Sequence, residues 1–215
     1  MDHQLPSVYI CRHGETAWTI TGQHTGVTDL PLTAQGETNA RRLANRLKGL
    51  EFARVFTSPL QRARRTCELA GFGSSAEIDG DLVEWNYGDY EGLRSVDIHS
   101  NRPGWELFRD GAPGGESPAQ VMARADKVWK RVRDVKGNVL IFSSGHFTRV
   151  LAARWIGLEL PVIGNSFLLS TASLSTVGYD RDLSHPVISL WNDTRHLNYA
   201  ENGDLLHGTR KTPQP

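Results

Sequence analysis

The run Val8-Tyr9-Ile10-Cys11-Arg12-His13-Gly14 places an apolar segment directly before an arginine, a histidine and a glycine. A short apolar run of this kind is typical of a buried strand, and a glycine after it allows the backbone to turn. A histidine fixed at such a turn can attack phosphorus through its neutral imidazole. The arginine beside it can bind the anion that is attacked. This stretch therefore predicts a strand that ends at a phosphate site.

The composition argues against a nucleic-acid-binding or membrane protein. The 24 basic and 24 acidic residues cancel, so no overall field attracts the chain to nucleic acid or to an anionic membrane. No apolar run approaches the roughly 20 residues that span a bilayer, and residues 1–6 lack the features of a signal peptide. The two cysteines, Cys11 and Cys67, are too few for a disulfide framework. We expect a soluble, cytoplasmic protein.

Short apolar runs alternate with amphipathic stretches, which is the pattern of an α/β domain with a mainly parallel sheet. The predicted strands are 7–11, 53–57, 138–143, 172–179 and 186–191. Four helices are expected as well, and glycines mark where they stop. The first ends at Gly49, and the second runs from Ser58-Pro59 to Gly71. The third begins at Ser117-Pro118, and the fourth runs from near His146 to Gly157. We expect one domain over residues 1–200 and a loose tail over 201–215.

Chemically active side chains follow the points at which predicted strands pass into a loop or a helix. These junctions come after residues 11, 57, 83 and 143. Because the carboxyl ends of parallel strands share one edge of a sheet, these junctions should meet in space. Arg62 would lie in the first turn of its helix, where a helix N-terminus already favours anions. Glu84, flanked by Trp85 and Tyr87, would be desolvated, which favours a neutral carboxyl able to protonate a leaving group.

Four segments of the chain carry a resemblance to one enzyme family. They are Arg12-His13-Gly14-Glu15; Thr25-Gly26 with Asp29-Leu30-Pro31-Leu32-Thr33; Ser58-Pro59 with Arg62-Ala63; and Glu84 with Tyr87-Gly88 and Glu91-Gly92. Together they resemble the histidine phosphatase superfamily, which includes phosphoglycerate mutases, fructose-2,6-bisphosphatases and acid phosphatases. The match spans about residues 7–157 in the correct order, so it is more specific than any single motif.

The resemblance implies a phosphoglycerate mutase-like three-layer sandwich, in which helices flank a mainly parallel sheet. It implies that His13 becomes phosphorylated and that Glu84 donates the proton. The catalytic set predicted with them includes Arg12, Arg62 and His146. The predicted phosphate-binding set is Arg12, Thr19, His24, Thr25, Gly26, Arg62, Tyr87, Ser144, Gly145 and His146. The sequence shows no metal-ligand spacing among its histidines, and we expect neither a metal nor another cofactor.

One departure from the family concerns its second catalytic histidine. Aligned on Gly145, the residue at that position is Ser144, and the nearest histidine is His146. A serine hydroxyl can donate to a phosphate oxygen, but it brings no positive charge. We hypothesise that Ser144, His146 and the helix N-terminus replace the imidazole imperfectly. The alternative is a pseudo-enzyme that binds phosphate without turnover.

A second departure separates hydrolysis from mutase chemistry. Ser95 occupies the position of a mutase lysine, and Arg102 and Arg109 occur singly where mutases have paired arginines. A mutase must retain its bisphosphorylated intermediate, so the loss of these anchors favours water as the acceptor. We predict a phosphomonoester hydrolase acting on small phosphorylated metabolites such as sugar phosphates. A cofactor-dependent phosphoglycerate mutase is the alternative.

The segment at about 93–116 is predicted to form a lid over this pocket, and it resembles the same stretch of sugar-bisphosphatase and acid-phosphatase members. Two other interpretations stay open here. Trp105 and Phe108 can equally be core anchors, and Arg109 can be a contact for a second phosphate. The strand at 186–191 can pair with another copy at a sheet edge, which would give a homodimer.

Overall fold

A computed structural model of the chain, which describes residues 5–163 and 166–198, contains a six-stranded sheet. Its strands are β1 (Val8–Arg12), β2 (Arg54–Thr57), β3 (Ala76–Ile78), β4 (Val139–Ser143), β5 (Leu174–Tyr179) and β6 (Pro186–Asp193). All five predicted strands are confirmed, and their predicted ends differ from the observed ones by no more than two residues. The short β3 was missed because Ala76–Ile78 is too brief to show an alternating pattern.

The strand order is β3-β2-β4-β1-β5-β6. The pairs β3–β2, β2–β4 and β4–β1 are parallel, whereas β5 runs antiparallel to both β1 and β6. The mainly parallel α/β fold is thereby confirmed. Since β1, β2 and β4 are parallel neighbours, their carboxyl ends lie at the same sheet edge, where ligand sites collect.

Helices cover both faces of the sheet. They are α1 (Ala17–Thr21), α2 (Ala34–Leu47), α3 (Gln61–Leu69), α4 (Ser95–Asn101), α5 (Leu107–Asp110), α6 (Pro118–Arg133), α7 (Gly145–Ile156) and α8 (Leu160–Ile163). Short 3-10 turns span Gly80–Leu82, Gly88–Tyr90 and Arg195–Asn198.

Alternating strand residues separate the apolar core into two clusters. In β1, Val8 and Ile10 belong to the cluster that contains α6 and α7, whereas Cys11 belongs to the cluster that contains α2 and α3. The side chains of β4 alternate in the same way. Successive residues of a strand point to opposite faces, so both faces of these strands are buried. The three layers that the resemblance implied are present.

Two predicted boundaries were wrong. The junction after residue 83 does not follow a strand, because Glu84 comes after the 3-10 turn Gly80–Leu82. The helix predicted to be capped by Ser58 begins instead at Gln61. Its first N–H is capped from outside the helix, by the Asp29 carboxylate at 2.8 Å. The predicted Ser117-Pro118 start and the Gly157 stop are confirmed, and the predicted tail over 201–215 lies outside the described residues.

Candidate active site

Two adjoining cavities open where β1 and β4 end. The first, of about 220 Å³, is lined by Arg12, His13, Trp18, Thr19, Gly22, Gln23, His24, Thr25, Glu84, Tyr87, Ser95 and His146. The second, of about 180 Å³, shares His24, Ser95 and His146 and is closed by residues 104–108. The sheet edge therefore brings together residues from the whole length of the chain, as the parallel topology predicts.

His13 is held as a neutral imidazole with a defined tautomer. Its Nδ1 lies 2.7 Å from the carbonyl oxygen of Gly14, which can only accept, so Nδ1 carries the proton and Nε2 keeps its lone pair. Burial lowers the pKa of His13 well below its usual value, and the charges of Arg62 and Arg12 lower it further. Gly14 must be glycine because a Cβ there would lie 2.6 Å from the Gly36 carbonyl oxygen.

Arg62 is fully buried on the first turn of α3. Its two terminal nitrogens donate to the backbone carbonyls of Thr25, Gly26 and Thr28 at 2.8–3.0 Å. These bonds fix the guanidinium plane, while its Nε has no partner among the described residues. Arg12 has the same character, because Nη1 donates to the Leu169 carbonyl and its buried Nε lacks a described partner.

The Glu84 carboxylate is fixed by three backbone N–H groups. Its Oε1 accepts from Trp85 and Phe147 at 2.9 and 2.8 Å, and its Oε2 accepts from His146 at 3.0 Å. Two of these donors belong to the first turn of α7, so the helix N-terminus binds a side-chain carboxylate. Glu84 is 5% exposed and faces the same cavity as His13.

Three contacting rings, those of His24, Tyr87 and His146, line the cavity that contains His13. The Tyr87 hydroxyl lies 2.6 Å from Nδ1 of His146, and the His24 ring lies 4.7 Å from the Tyr87 ring. Burial raises the pKa of Tyr87 well above its usual value, so the phenol keeps its proton. Burial lowers the pKa of His24 to about 4 and that of His146 well below its usual value. At neutral pH these two histidines are therefore uncharged.

The remaining predicted contacts take supporting positions in the free protein. The Thr19 hydroxyl donates to the Thr16 carbonyl and closes the first turn of α1. The carbonyls of Thr25 and Gly26 hold Arg62, and the Gly26 N–H donates to the Glu91 carboxylate. A Cβ at Gly26 would lie 2.6 Å from the Trp85 carbonyl oxygen, so a side chain would separate these segments.

Ser144 and Gly145 stand at the junction of β4 and α7. Ser144 is the N-cap residue of α7, is fully buried, and its hydroxyl has no described partner. A Cβ at Gly145 would lie 3.1 Å from the Arg12 guanidinium carbon, so the glycine lets Arg12 lie against the helix start. The Ser144 hydroxyl therefore has an unused donor, although Ser144 is not among the residues that line the two cavities.

Arg149 lies one turn beyond His146 on α7 and was not among the predicted site residues. It lines the second cavity, and its guanidinium makes no hydrogen bond or ion pair with any described residue. Its positive charge helps to lower the pKa of Arg12, and the charge of Glu84 acts to raise the pKa of Arg149. The i, i+3 spacing from His146 was the available signal.

Arg109 does not reach either cavity. Its side chain is half exposed, and it bonds the Asp110 carboxylate and the Gly104 carbonyl. Trp105 and Phe108 of the same segment are 3% and 4% exposed, and the Trp105 indole N–H donates to the Gly111 carbonyl. Both rings belong to the apolar core, and both also line the second cavity.

Comparison with known proteins agrees with this geometry. The profile of the histidine phosphatase superfamily (branch 1) matches residues 8–194. The chain belongs to this superfamily. It is 41% identical over 176 residues to an acid phosphatase of Mycobacterium tuberculosis, covering 80% of this chain and 85% of the relative. A sedoheptulose 1,7-bisphosphatase of Saccharomyces cerevisiae is 34% identical over 191 residues, covering 74% and 70%.

A solved structure of a Mycobacterium tuberculosis open reading frame superposes on this histidine phosphatase fold with a TM-score of 0.83. It shows 36% identity and covers 88% of this chain and 98% of that one. Within the described ranges, no helix has the length and apolar character that a membrane crossing requires. No group of three or more histidine, cysteine or acidic side chains in the same ranges is placed to hold a metal ion.

Proposed function

We propose that this chain hydrolyses phosphomonoesters through a phosphohistidine at His13. The observation that carries the proposal is a buried, neutral His13 of fixed tautomer, near three arginines whose charges are influenced by one carboxylate. Arg12, Arg62 and Arg149 each interact with the charge of Glu84. Three cations beside one anion leave a net positive pocket, which favours a phosphate dianion.

The residues divide the reaction into two steps. Glu84 takes up one proton when the phosphate dianion binds. Nε2 of His13 then attacks the phosphorus in line, the ester P–O bond breaks, and Glu84 gives that proton to the departing oxygen. Water then attacks the phosphohistidine, Glu84 accepts its proton, and the P–N bond breaks to release orthophosphate. The Nε atoms of Arg12 and Arg62 and the Ser144 hydroxyl have no partner among the described residues, and in this proposal they donate hydrogen bonds to the equatorial oxygens.

The proposed substrate is a sugar phosphate that carries a second anionic group. Arg149 lines the second cavity and makes no hydrogen bond or ion pair with a described residue. Its buried Nε would gain a partner from the anionic group of a ligand. The names of the two relatives, an acid phosphatase and a sugar bisphosphatase, support this substrate class. Arg149 takes the role that the sequence analysis considered for Arg109.

The test compares a sugar bisphosphate, the matching monophosphate and p-nitrophenyl phosphate. We expect His13→Ala to abolish hydrolysis of all three. Arg149→Gln should lower kcat/KM for the bisphosphate by about 100-fold, and that for p-nitrophenyl phosphate by less than about tenfold. Arg154→Gln is the control, since Arg154 lies on the same helix but pairs with Asp126 at the surface. An equal loss on all substrates would contradict the second-anion site.

The same assays separate the two alternatives. Binding of phosphate without product formation would identify a pseudo-enzyme. Conversion of 3-phosphoglycerate in the presence of 2,3-bisphosphoglycerate would identify a mutase. We expect hydrolysis instead, because Ser95 bonds His24 through its hydroxyl at 3.3 Å and offers no cation to retain a bisphosphorylated intermediate.

Two further properties belong to this proposal. We propose a cytoplasmic location, which the pair of buried free thiols of Cys11 and Cys67 supports. We also propose a homodimer formed through β6, since this strand is at the edge of the sheet and eight residues long. Sedimentation equilibrium tests the assembly, and a monomer at micromolar concentration would exclude it.

A further inference from the structure

The peptide unit that joins His13 to Gly14 is held at both of its polar ends. Its carbonyl oxygen accepts from the Ala172 N–H at 2.9 Å, and its N–H donates to the Thr66 hydroxyl at 2.9 Å. The next carbonyl along, that of Gly14, is the one that fixes Nδ1 of His13. The direction of the imidazole therefore depends on how this peptide unit is placed.

Thr66 connects the peptide unit to the helix that carries Arg62. The side chain is fully buried on α3, and its hydroxyl donates to the Arg62 carbonyl at 2.7 Å while it accepts from Gly14. One hydroxyl thus bridges the backbone of His13 and the backbone of Arg62. Removing it would leave the Gly14 N–H buried without a partner, which costs more than the bond itself contributes.

His196 supports the other end through Ala172. Ala172 has a φ of +53°, a left-handed conformation that is unfavourable for a residue with a side chain. Its carbonyl lies 2.8 Å from Nε2 of His196, which must therefore donate. His196 is 5% exposed in the 3-10 turn after β6. This bond holds Ala172 in the strained conformation that directs its N–H at His13.

The same segment also positions Arg12. The carbonyl of Ser173 accepts from the Arg12 N–H at 3.1 Å, and the Leu169 carbonyl accepts from its guanidinium. A displacement of residues 169–173 would therefore move the proposed nucleophile and its neighbouring arginine together. In-line attack requires close alignment of the reacting atoms, and a misplacement of about 1 Å can cost about 100-fold in rate.

We propose that Thr66 and His196 are positioning residues that clamp the His13–Gly14 peptide from opposite sides, one from α3 and one from the turn after β6. The proposal rests on the proposed role of His13 as nucleophile. Neither side chain lines the two catalytic cavities. Both act through the backbone of His13, so their loss should slow the step in which His13 attacks more than it weakens binding.

The experiment measures the single-turnover rate of phosphoenzyme formation from p-nitrophenyl phosphate, per folded site, together with KM. We expect Thr66→Val and His196→Leu to lower the rate by about 10-fold to 100-fold, with KM changed by less than about threefold. Thr66→Ser and His196→Gln keep a hydroxyl and an N–H donor, and they should recover most of the rate. The controls are Thr38→Val, on the exposed face of α2, and His185→Gln, in the exposed turn between β5 and β6.

Imidazole ¹⁵N shifts of His13 provide a readout that does not need turnover. The wild-type protein should show Nδ1 protonated, and Thr66→Val and His196→Leu should move the shifts toward the other tautomer. Wild-type rates together with wild-type shifts in both folded variants would overturn the clamp. So would a Thr66→Ser variant as slow as Thr66→Val. If the wild-type protein forms no phosphohistidine, the proposed function fails, and unchanged ¹⁵N shifts in the variants would then overturn the clamp separately.

Discussion

At the scale of single residues, the positive charge of the site and its proposed nucleophile belong to different side chains. Burial keeps His13, His24 and His146 neutral, while Arg12 and Arg149 carry the positive charge close to them. A neutral imidazole can attack, and fixed guanidinium groups stabilise the charge that then develops on the phosphate. A serine in place of a second imidazole is compatible with this division, since its hydroxyl only has to donate.

Ser144 tests this interpretation because its hydroxyl has no hydrogen-bond partner among the residues that the structure describes. We expect Ser144→Ala to lower kcat/KM by about 10-fold to 100-fold, the effect of losing one donor to the transition state. Its melting temperature should stay the same or rise slightly, because a buried unsatisfied group is removed. The measurement is steady-state kinetics beside thermal unfolding.

Ser143→Ala is the matched control for that variant. The Ser143 hydroxyl donates to the Leu82 carbonyl at 2.8 Å, and both groups are buried. We expect this change to cost about 1–3 kcal/mol of stability and to leave kcat/KM of the folded enzyme near the wild-type value. Wild-type kinetics in Ser144→Ala would show that the hydroxyl does not contact the substrate.

Sequence reasoning found the residues that sit inside motifs and missed those defined by distant partners. Arg12, His13 and Arg62 were predictable because local junctions place them at one sheet edge. Thr66 and His196 were not, since their importance comes from bonds to Gly14 and Ala172, 52 and 24 positions away in the sequence. Arg149 was within reach of helix periodicity, but whether its charge is paired can be seen only in three dimensions.

At the scale of secondary structure, predictions from neighbouring residues were wrong where a distant segment supplies the capping group. The start of α3 was predicted from Ser58, yet Asp29 caps it from a loop that the sequence does not place nearby. Likewise, the apolar character of β5 predicted a strand correctly but did not reveal its antiparallel direction. Direction depends on the connection that precedes a strand, and the four residues of α8 are too few to show the periodicity of a crossover helix.

The segment over residues 93–116 provides a prediction at this scale. Gly111 has φ +65° and ψ −157°, a region that is essentially restricted to glycine, and a Cβ there would lie 2.9 Å from the Glu116 carbonyl oxygen. We expect Gly111→Ala to cost about 2–4 kcal/mol and to raise KM, because the Gly111 carbonyl holds the Trp105 indole.

Gly104→Ala in the same segment distinguishes the cost of backbone strain from the cost of a steric clash. Gly104 has φ +77°, but a Cβ there meets no atom within 4 Å, so only the backbone term of about 1–2 kcal/mol applies. Thermal unfolding and KM for the two variants are the measurements. If Gly111→Ala behaves like Gly104→Ala, the packing of Trp105 does not shape the pocket, and the segment acts as a mobile lid.

At the scale of the whole molecule, buried histidines link folding to pH. Burial lowers the pKa of His13, His24, His146 and His196 in the folded protein. The unfolded chain therefore binds protons first as the pH falls below about 6.5, and stability is lost from there down to each folded pKa. The lowered pKa values of Asp110 and Asp182, about 2, act only below about pH 4.

The contribution of His24 to this pH dependence of stability is large enough to measure. With a folded pKa of about 4, it should account for about 2 kcal/mol of the stability lost between pH 7 and pH 5. His24→Gln should therefore reduce the fall in unfolding free energy over that interval by about 2 kcal/mol, as followed by urea titration at each pH. His185→Gln, which changes an exposed side chain in the turn between β5 and β6, should keep the wild-type dependence. A wild-type protein equally stable at pH 7 and pH 5 would contradict the burial of these neutral imidazoles.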